Sequence, residues 1–144
     1  MTAAFYQTRP ETDTVFLMDL YRRIRGIPDR AESHYERHAR QLGEASFFRS
    51  YIVMHEGHDV GLLEYGKHPF LEATDEAWID LQLSPTAACD EASLRGLLDC
   101  AEEDMAHRGF LKFHMESRDP RLVPLLPLFG WVQRSFAFVK TLGQ

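Results

Sequence analysis

The chain has 144 residues, 44% of them hydrophobic, and a formal net charge of −6. That length fits one domain spanning residues 1–144, with a core large enough to hold without staples. The acidic balance excludes a nucleic-acid partner, which needs a concentrated basic face, and no apolar run approaches the ~20 residues that span a bilayer, so no membrane partner is expected.

In chain order, Ala3 to Thr8 reads as a short first strand stopped by Arg9-Pro10. Thr12 or Asp13 caps a helix running to about Arg25, with Phe16, Leu20 and Ile24 on one side and Val15, Leu17 and Met18 widening the stripe. Gly26-Ile27-Pro28 breaks it. Asp29 caps a second, more polar helix through Leu42, closed by Gly43. Arg22, Arg23, Arg25, Arg30, Arg37 and Arg40 alternate here with Asp19, Asp29, Glu32 and Glu36, the pattern of a solvated helical face.

The period then changes. Phe47 to Met54 reads as a strand, His55-Glu56-Gly57-His58 as a turn, and Asp59 to Tyr65 as the return strand of a hairpin. A polar link through Asp75 leads to a further antiparallel strand, Trp78 to Leu83, which ends at Ser84-Pro85. From Glu91, Leu94, Leu97, Leu98, Ala101 and Met105 recur at three- and four-residue spacing, giving a helix with one apolar stripe. Gly109 ends it, and Phe110 to Met115 follows as a strand. Strand, crossover helix and strand make a right-handed parallel unit whose helix start is a possible anion site. After Asp119-Pro120 comes a short apolar helix (Leu122, Val123, Leu125, Leu126, Leu128, Phe129), which Pro124 and Pro127 shorten or distort. Gly130-Trp131 turns into a final alternating strand, Arg134 to Lys140.

This order of elements resembles the GNAT family of N-acetyltransferases over nearly the whole chain. The resemblance implies an α+β fold: a mostly antiparallel sheet with a central parallel strand pair, flanked by helices. In that family the fourth strand ends in an apolar-x-Pro sequence, which Leu83-Ser84-Pro85 matches. Arg or Gln, two residues, Gly, one residue, and then Gly or Ala follow, and their backbone amides hold the pyrophosphate of acetyl-CoA. Here those positions are Ala88, Glu91 and Ser93, so all three differ. A side chain at residue 91 obstructs close approach of a phosphate. Asp90 and Glu91 also put carboxylates where a diphosphate would sit, and self-capping of the helix is the competing role for them. Arg95 either reaches back to a phosphate or pairs with Glu91.

Family members often carry Asn before the fourth helix, Tyr seven residues later, and Gly-Phe four residues beyond. Here the series is Asp119, Leu126 and Gly130-Trp131. The spacing is kept, but Leu126 stands where the Tyr that protonates the departing thiolate usually sits, and leucine has no proton to give. The resemblance implies acetyl-CoA as cofactor, with Leu83, Ala88, Glu91, Ser93 and Asp119 as the positions around it.

Acyl transfer also needs a base for the amine, often a carboxylate on the fourth strand. Asp80, sharing its strand face with Trp78 and Gln82, is the equivalent position, and the same residue also fits a half-solvated strand with no chemistry. Glu64 and Tyr65 on the preceding strand, and His68 beyond them, are candidates to line the acceptor cleft. Tyr51 is a candidate acid, although a strand tyrosine among Ile52 and Val53 is usually packing. Cys89 precedes a helix start, where a thiolate is somewhat stabilised, but no base adjoins it. His55 with His58, and His34 with His38, lack a third ligand or a glutamate in metal-binding spacing, so no metal is expected.

Two functions follow from these readings. One is transfer of an acetyl or acyl group from acyl-CoA to a small-molecule or peptide amine, with Asp80 or Glu64 as base. The other is a GNAT-fold protein without catalysis, a small-molecule binding or protein-interaction module, with a homodimer through edge strands or the apolar segment near Leu125. Two cysteines are too few for a disulfide framework and the start of the chain lacks a secretory pattern, so a reducing cytoplasmic setting is expected.

Overall fold

A computed structural model describes residues 5–26, 48–67, 75–115, 117, 119–134, 140 and 142. The first strand, β1 (Gln7–Pro10), starts later than the sequence pattern places it and runs through Arg9 and Pro10. Pro10 sits opposite Tyr51 at the end of the described sheet, where a missing N–H is tolerated. Asp13 then caps α1 (Thr14–Arg25), its carboxylate accepting from the amides of Val15 and Phe16 at 3.0 and 3.3 Å. Gly26, at φ 63, closes the helix in the left-handed conformation. Leu17, Met18, Leu20 and Ile24 are buried, but Val15 is exposed and does not belong to the stripe expected of it. The expected helix Asp29–Leu42 lies outside the described residues, as does most of the expected strand 134–140.

The hairpin forms from β2 (Phe48–His55) and β3 (His58–Lys67). Glu56 and Gly57 both have positive φ, 51 and 81, the signature of a two-residue type I′ turn. Met54 pairs with Asp59 but Val53 pairs with Gly61, so Val60 is an extra residue on β3 and the register shifts there. The amide of Ser84 donates to the carbonyl of Val60 at 2.8 Å, which ties the bulge to the end of the next strand.

That strand, β4 (Glu76–Leu83), lies antiparallel to β3, with burial alternating residue by residue. Gly61 is where the two backbones crowd. A Cβ there would stand 2.7 Å from Leu83 Cδ2 and 2.8 Å from the carbonyl oxygen of Gln82, and the second contact is backbone that cannot turn aside. Gly61→Ala is therefore expected to cost about 1–3 kcal/mol. The check is a lower urea midpoint at unchanged slope, and an unaltered midpoint would show that the sheet yields at no cost.

From β4 the chain crosses over through α2 (Glu91–His107) to β5 (Lys112–His114), which is parallel to β4. The ladder between them runs from Glu76↔Lys112 to Trp78↔His114, and β4 continues five residues past it. The sheet order is β1-β2-β3-β4-β5. Val123–Phe129 winds as a 3-10 helix, because Pro124 and Pro127 have no N–H for a longer ladder.

Apolar cores lie on both faces of the sheet. On one, Leu17, Met18, Leu20 and Ile24 of α1 meet Ile52 and Leu62. On the other, Leu94, Leu97, Leu98, Ala101 and Met105 of α2 pack on Leu63, Tyr65, Ile79 and Leu81, with Leu122 from the segment before the 3-10 helix. All five α2 positions expected to be buried are buried. Among the described residues, no helix is long and apolar enough to cross a membrane.

Candidate functional site

Two groups of polar side chains stand out, one on each side of the sheet. The first is a carboxyl pair on the α1 side. Glu64 lies two residues from Leu62 and so faces α1, and Asp80 lies directly opposite Glu64 in the β3–β4 register. Glu64 is only 3% exposed, and Ser50 Oγ donates to its Oε2 at 2.9 Å. Burial pushes the Glu64 carboxyl up to about 8; the Ser50 bond opposes this, and the nearby Asp80 charge adds to it. Asp80 is half-buried and accepts from Gln82 Nε2 at 2.9 Å. Ser50 is the member of this group that the sequence pattern does not single out.

The second group surrounds the connection from β4 to α2. Leu83 is buried at the strand end. Asp90 and Ser93 form a capping box: Asp90 Oδ1 accepts from the Ser93 amide at 2.8 Å, and Ser93 Oγ accepts from the Asp90 amide at 3.2 Å. Arg95 pairs with Glu91 at 2.6 Å and covers the Phe129 ring, so it turns along its own helix rather than back over the loop. Ser93 and Asp90 thus serve the helix itself, and Glu91 leans away along it with its charge partnered. Among the described residues, no partner meets the amides of Glu91 and Ala92.

Asp119 comes to this loop through a residue the sequence reading passed over. Its carboxylate holds Arg121 with both oxygens, Oδ1 to Nε at 3.0 Å and Oδ2 to Nη2 at 2.8 Å. The Arg121 guanidinium then donates to the carbonyls of Pro85 (3.0 Å), Ala87 (2.8 Å) and Ser84 (3.3 Å). The Tyr6 hydroxyl donates to the next carbonyl of the same loop, that of Ala88. Phe5, Tyr6, His55, Val60, Thr86, Ala87 and Ala88 line an adjoining hollow of about 220 Å3. Cys89 is half-buried beside this cluster. Burial, then the charge of Asp119, pushes its thiol up, and Arg121 only partly offsets this. The loop therefore holds a thiol rather than the stabilised thiolate that its place near a helix start suggests.

The remaining candidates are elsewhere. Tyr65 is buried under α2, where its hydroxyl donates to Asp104 Oδ2 at 2.7 Å and its ring stacks on Tyr51. Burial pushes the Tyr65 phenol well above the ordinary tyrosine range, which makes it a poor acid. Leu126 is half-buried against the main core and carries no titratable group. His55 stacks on Phe5 at 4.4 Å between ring centres. His34, His38 and His68 lie outside the described residues. Among the described residues, no three His, Cys, Asp or Glu side chains gather as they would around a metal ion.

No family model and no curated protein matches this chain. Solved structures match over nearly its whole length. The aminoglycoside N-acetyltransferase AAC(6')-Iy in complex with CoA is 10% identical, with 98% of this chain and 97% of that one covered at a TM-score of 0.64. A predicted acetyltransferase with acetyl-CoA from Clostridium acetobutylicum is 14% identical, covering 95% and 96% at 0.69. The aminoglycoside acetyltransferase meta-AAC0020 from an uncultured soil metagenomic sample, in complex with sisomicin, is 17% identical, covering 96% and 97% at 0.57. At these identities the likeness is one of fold.

Proposed function

We propose that this chain, which has the GNAT-like acyl-CoA N-acyltransferase fold, moves an acetyl group from acetyl-CoA to a cationic amine. The observation that supports this most is the loop between β4 and α2. Its carbonyls are held from behind by Arg121 and Tyr6, which leaves backbone amides at the start of a helix to meet a diphosphate. Thr86, Ala88, Cys89, Glu91 and Ala92 supply those amides in this reading, and Leu83 and Asp119 shape the cradle without touching the diphosphate.

Bound acetyl-CoA would supply a thioester whose carbonyl carbon takes the amine nitrogen while the C–S bond breaks and CoA leaves as the thiolate, to be protonated from water because Leu126 offers no acid. The chain's own part is to bind the amine and receive its proton. Glu64, with its pKa raised to about 8, is a base poised near neutral pH. Burial holds it there, and Asp80 opposite raises it a little further and adds negative charge that attracts a cationic acceptor. The sisomicin complex of the soil acetyltransferase is an amine of this class bound to that protein.

Titration calorimetry of the purified chain with acetyl-CoA, and separately with CoA, tests the reading. A dissociation constant at or below about 100 μM is expected, followed by turnover in a screen of polyamines and amino sugars. No heat at millimolar ligand together with no thermal shift would sink it.

That result would favour the second reading, a GNAT-fold protein without catalysis that binds a small molecule or a protein. Two observations support this alternative: the Asp90–Ser93 box satisfies the amides of those two residues internally, and Leu126 offers no acid. Exposed Val123 and Leu128 on the 3-10 helix would then be the place for a homodimer contact.

A further inference from the structure

We infer that Arg121 is the positioning residue of a diphosphate cradle, fixing the peptide planes between Ser84 and Cys89 in a loop that lacks the motif glycines. The inference rests on the acyl-CoA reading above and adds a residue and a role to it.

A loop that binds phosphate through its amides must turn several N–H groups to one side. Glycines achieve this by freedom of backbone conformation. Here Glu91 and Ser93 stand at the glycine positions and Ala88 at the Arg or Gln position, so the planes of the loop have to be held by something else. The holder is a guanidinium whose rigid fork reaches the carbonyls of Pro85, Ala87 and Ser84, aided by the Tyr6 hydroxyl on Ala88. The described chain has no cis peptide bond. In a planar trans peptide the carbonyl of one residue and the N–H of the next point in opposite directions. Holding the carbonyls of Pro85, Ala87 and Ala88 therefore turns the N–H groups of Thr86, Ala88 and Cys89 away from Arg121 and Tyr6. The Ala87 amide is already used within the loop, donating to Ser84 at 2.9 Å.

Asp119 explains why the contribution of Arg121 is geometric rather than one of net charge. Its carboxylate grips the fork with two bonds and also accepts from the Arg121 amide at 2.9 Å, fixing the side chain and neutralising it. A lysine at this place would keep the charge but offer a single point, unable to span three carbonyls.

The test is calorimetric titration with CoA of the full-length wild type, Arg121→Lys, Arg121→Gln and Tyr6→Phe, each paired with its thermal midpoint. Both Arg121 variants are expected to bind CoA at least about tenfold more weakly, and Tyr6→Phe about threefold more weakly, each while folded. Wild-type affinity in Arg121→Lys would overturn the inference, because charge alone would then suffice. Lower midpoints with unchanged affinity would overturn it too, leaving Arg121 a structural tether. If neither Arg121 variant folds, Tyr6→Phe decides, and unchanged affinity there counts against the cradle. Absence of CoA binding in the wild type is a separate failure, of the acyl-CoA reading itself, and removes the inference with it.

Discussion

Glu64→Gln is expected to match the wild type in stability near pH 4.5 and to exceed it by about 2–4 kcal/mol at pH 9. The sign follows from where Glu64 sits. Its carboxyl is buried, held by Ser50 and faced by Asp80, and its pKa rises from the ordinary 4.5 to about 8. Between those values the folded chain holds a proton that the unfolded chain releases. Wild-type stability therefore falls as pH rises through that window and levels off above it. Glutamine has the same shape, accepts from Ser50 and never ionises, so the fall disappears. Urea denaturation of both proteins from pH 4.5 to 9 is the check, and parallel curves would show that Glu64 titrates in the ordinary carboxylate range. In the acyl-transfer reading the same substitution removes the base, and kcat/KM should fall about 10²–10⁴-fold. Asp80→Asn should move the pH profile of the wild type towards acid, because it removes a charge that raises Glu64.

The second large effect is mechanical. Leu98 is fully buried on α2, in the core that presses this helix against Leu63, Tyr65, Ile79 and Leu81. Leu98→Ala is expected to destabilise the chain by about 2–5 kcal/mol, the transfer of the lost methyl groups plus the cavity left behind. Against a total of about 5–15 kcal/mol for a domain this is a large share. The urea midpoint should drop with little change in slope. A loss below about 1 kcal/mol would mean the core collapses around the gap, and α2 would then be held less rigidly than its packing indicates.

Much of this arrangement can be read in the residues, because its causes are local. The stripe of α2, the Asp90 cap and the Arg95–Glu91 pair follow from helical spacing. Asp80, Trp78 and Gln82 share a face by strand alternation, as expected. The Glu64–Ser50 contact is a different matter. Counted back from the Glu56-Gly57 turn, Ser50 falls opposite Leu63. The bulge at Val60 moves it opposite Glu64, and a slip of one residue in a strand changes every facing pair. Nothing in the composition around Val60 announces that extra residue. Val15 misled for a simpler reason: it stands in the first turn of α1, on the side away from the sheet, where an apolar residue extends the pattern without being covered. Arg121 could not be read at all. Its partners are backbone carbonyls 34 to 37 residues away, and a carbonyl leaves no mark of its own in a sequence.

The contacts of Tyr6 and Arg121 with one short loop also set an order of events in time. Tyr6 is 82 residues from Ala88, and Arg121 lies beyond the whole crossover unit. Hairpin and helix close short loops and form early, whereas contacts between distant segments wait for the entropy of long loops to be overcome. On a ribosome, β4 and α2 emerge before the guanidinium that orders the turn between them. The turn takes its final shape last, after the C-terminal segment has docked, and any chain cut short before residue 121 would fold its sheet around an unset loop.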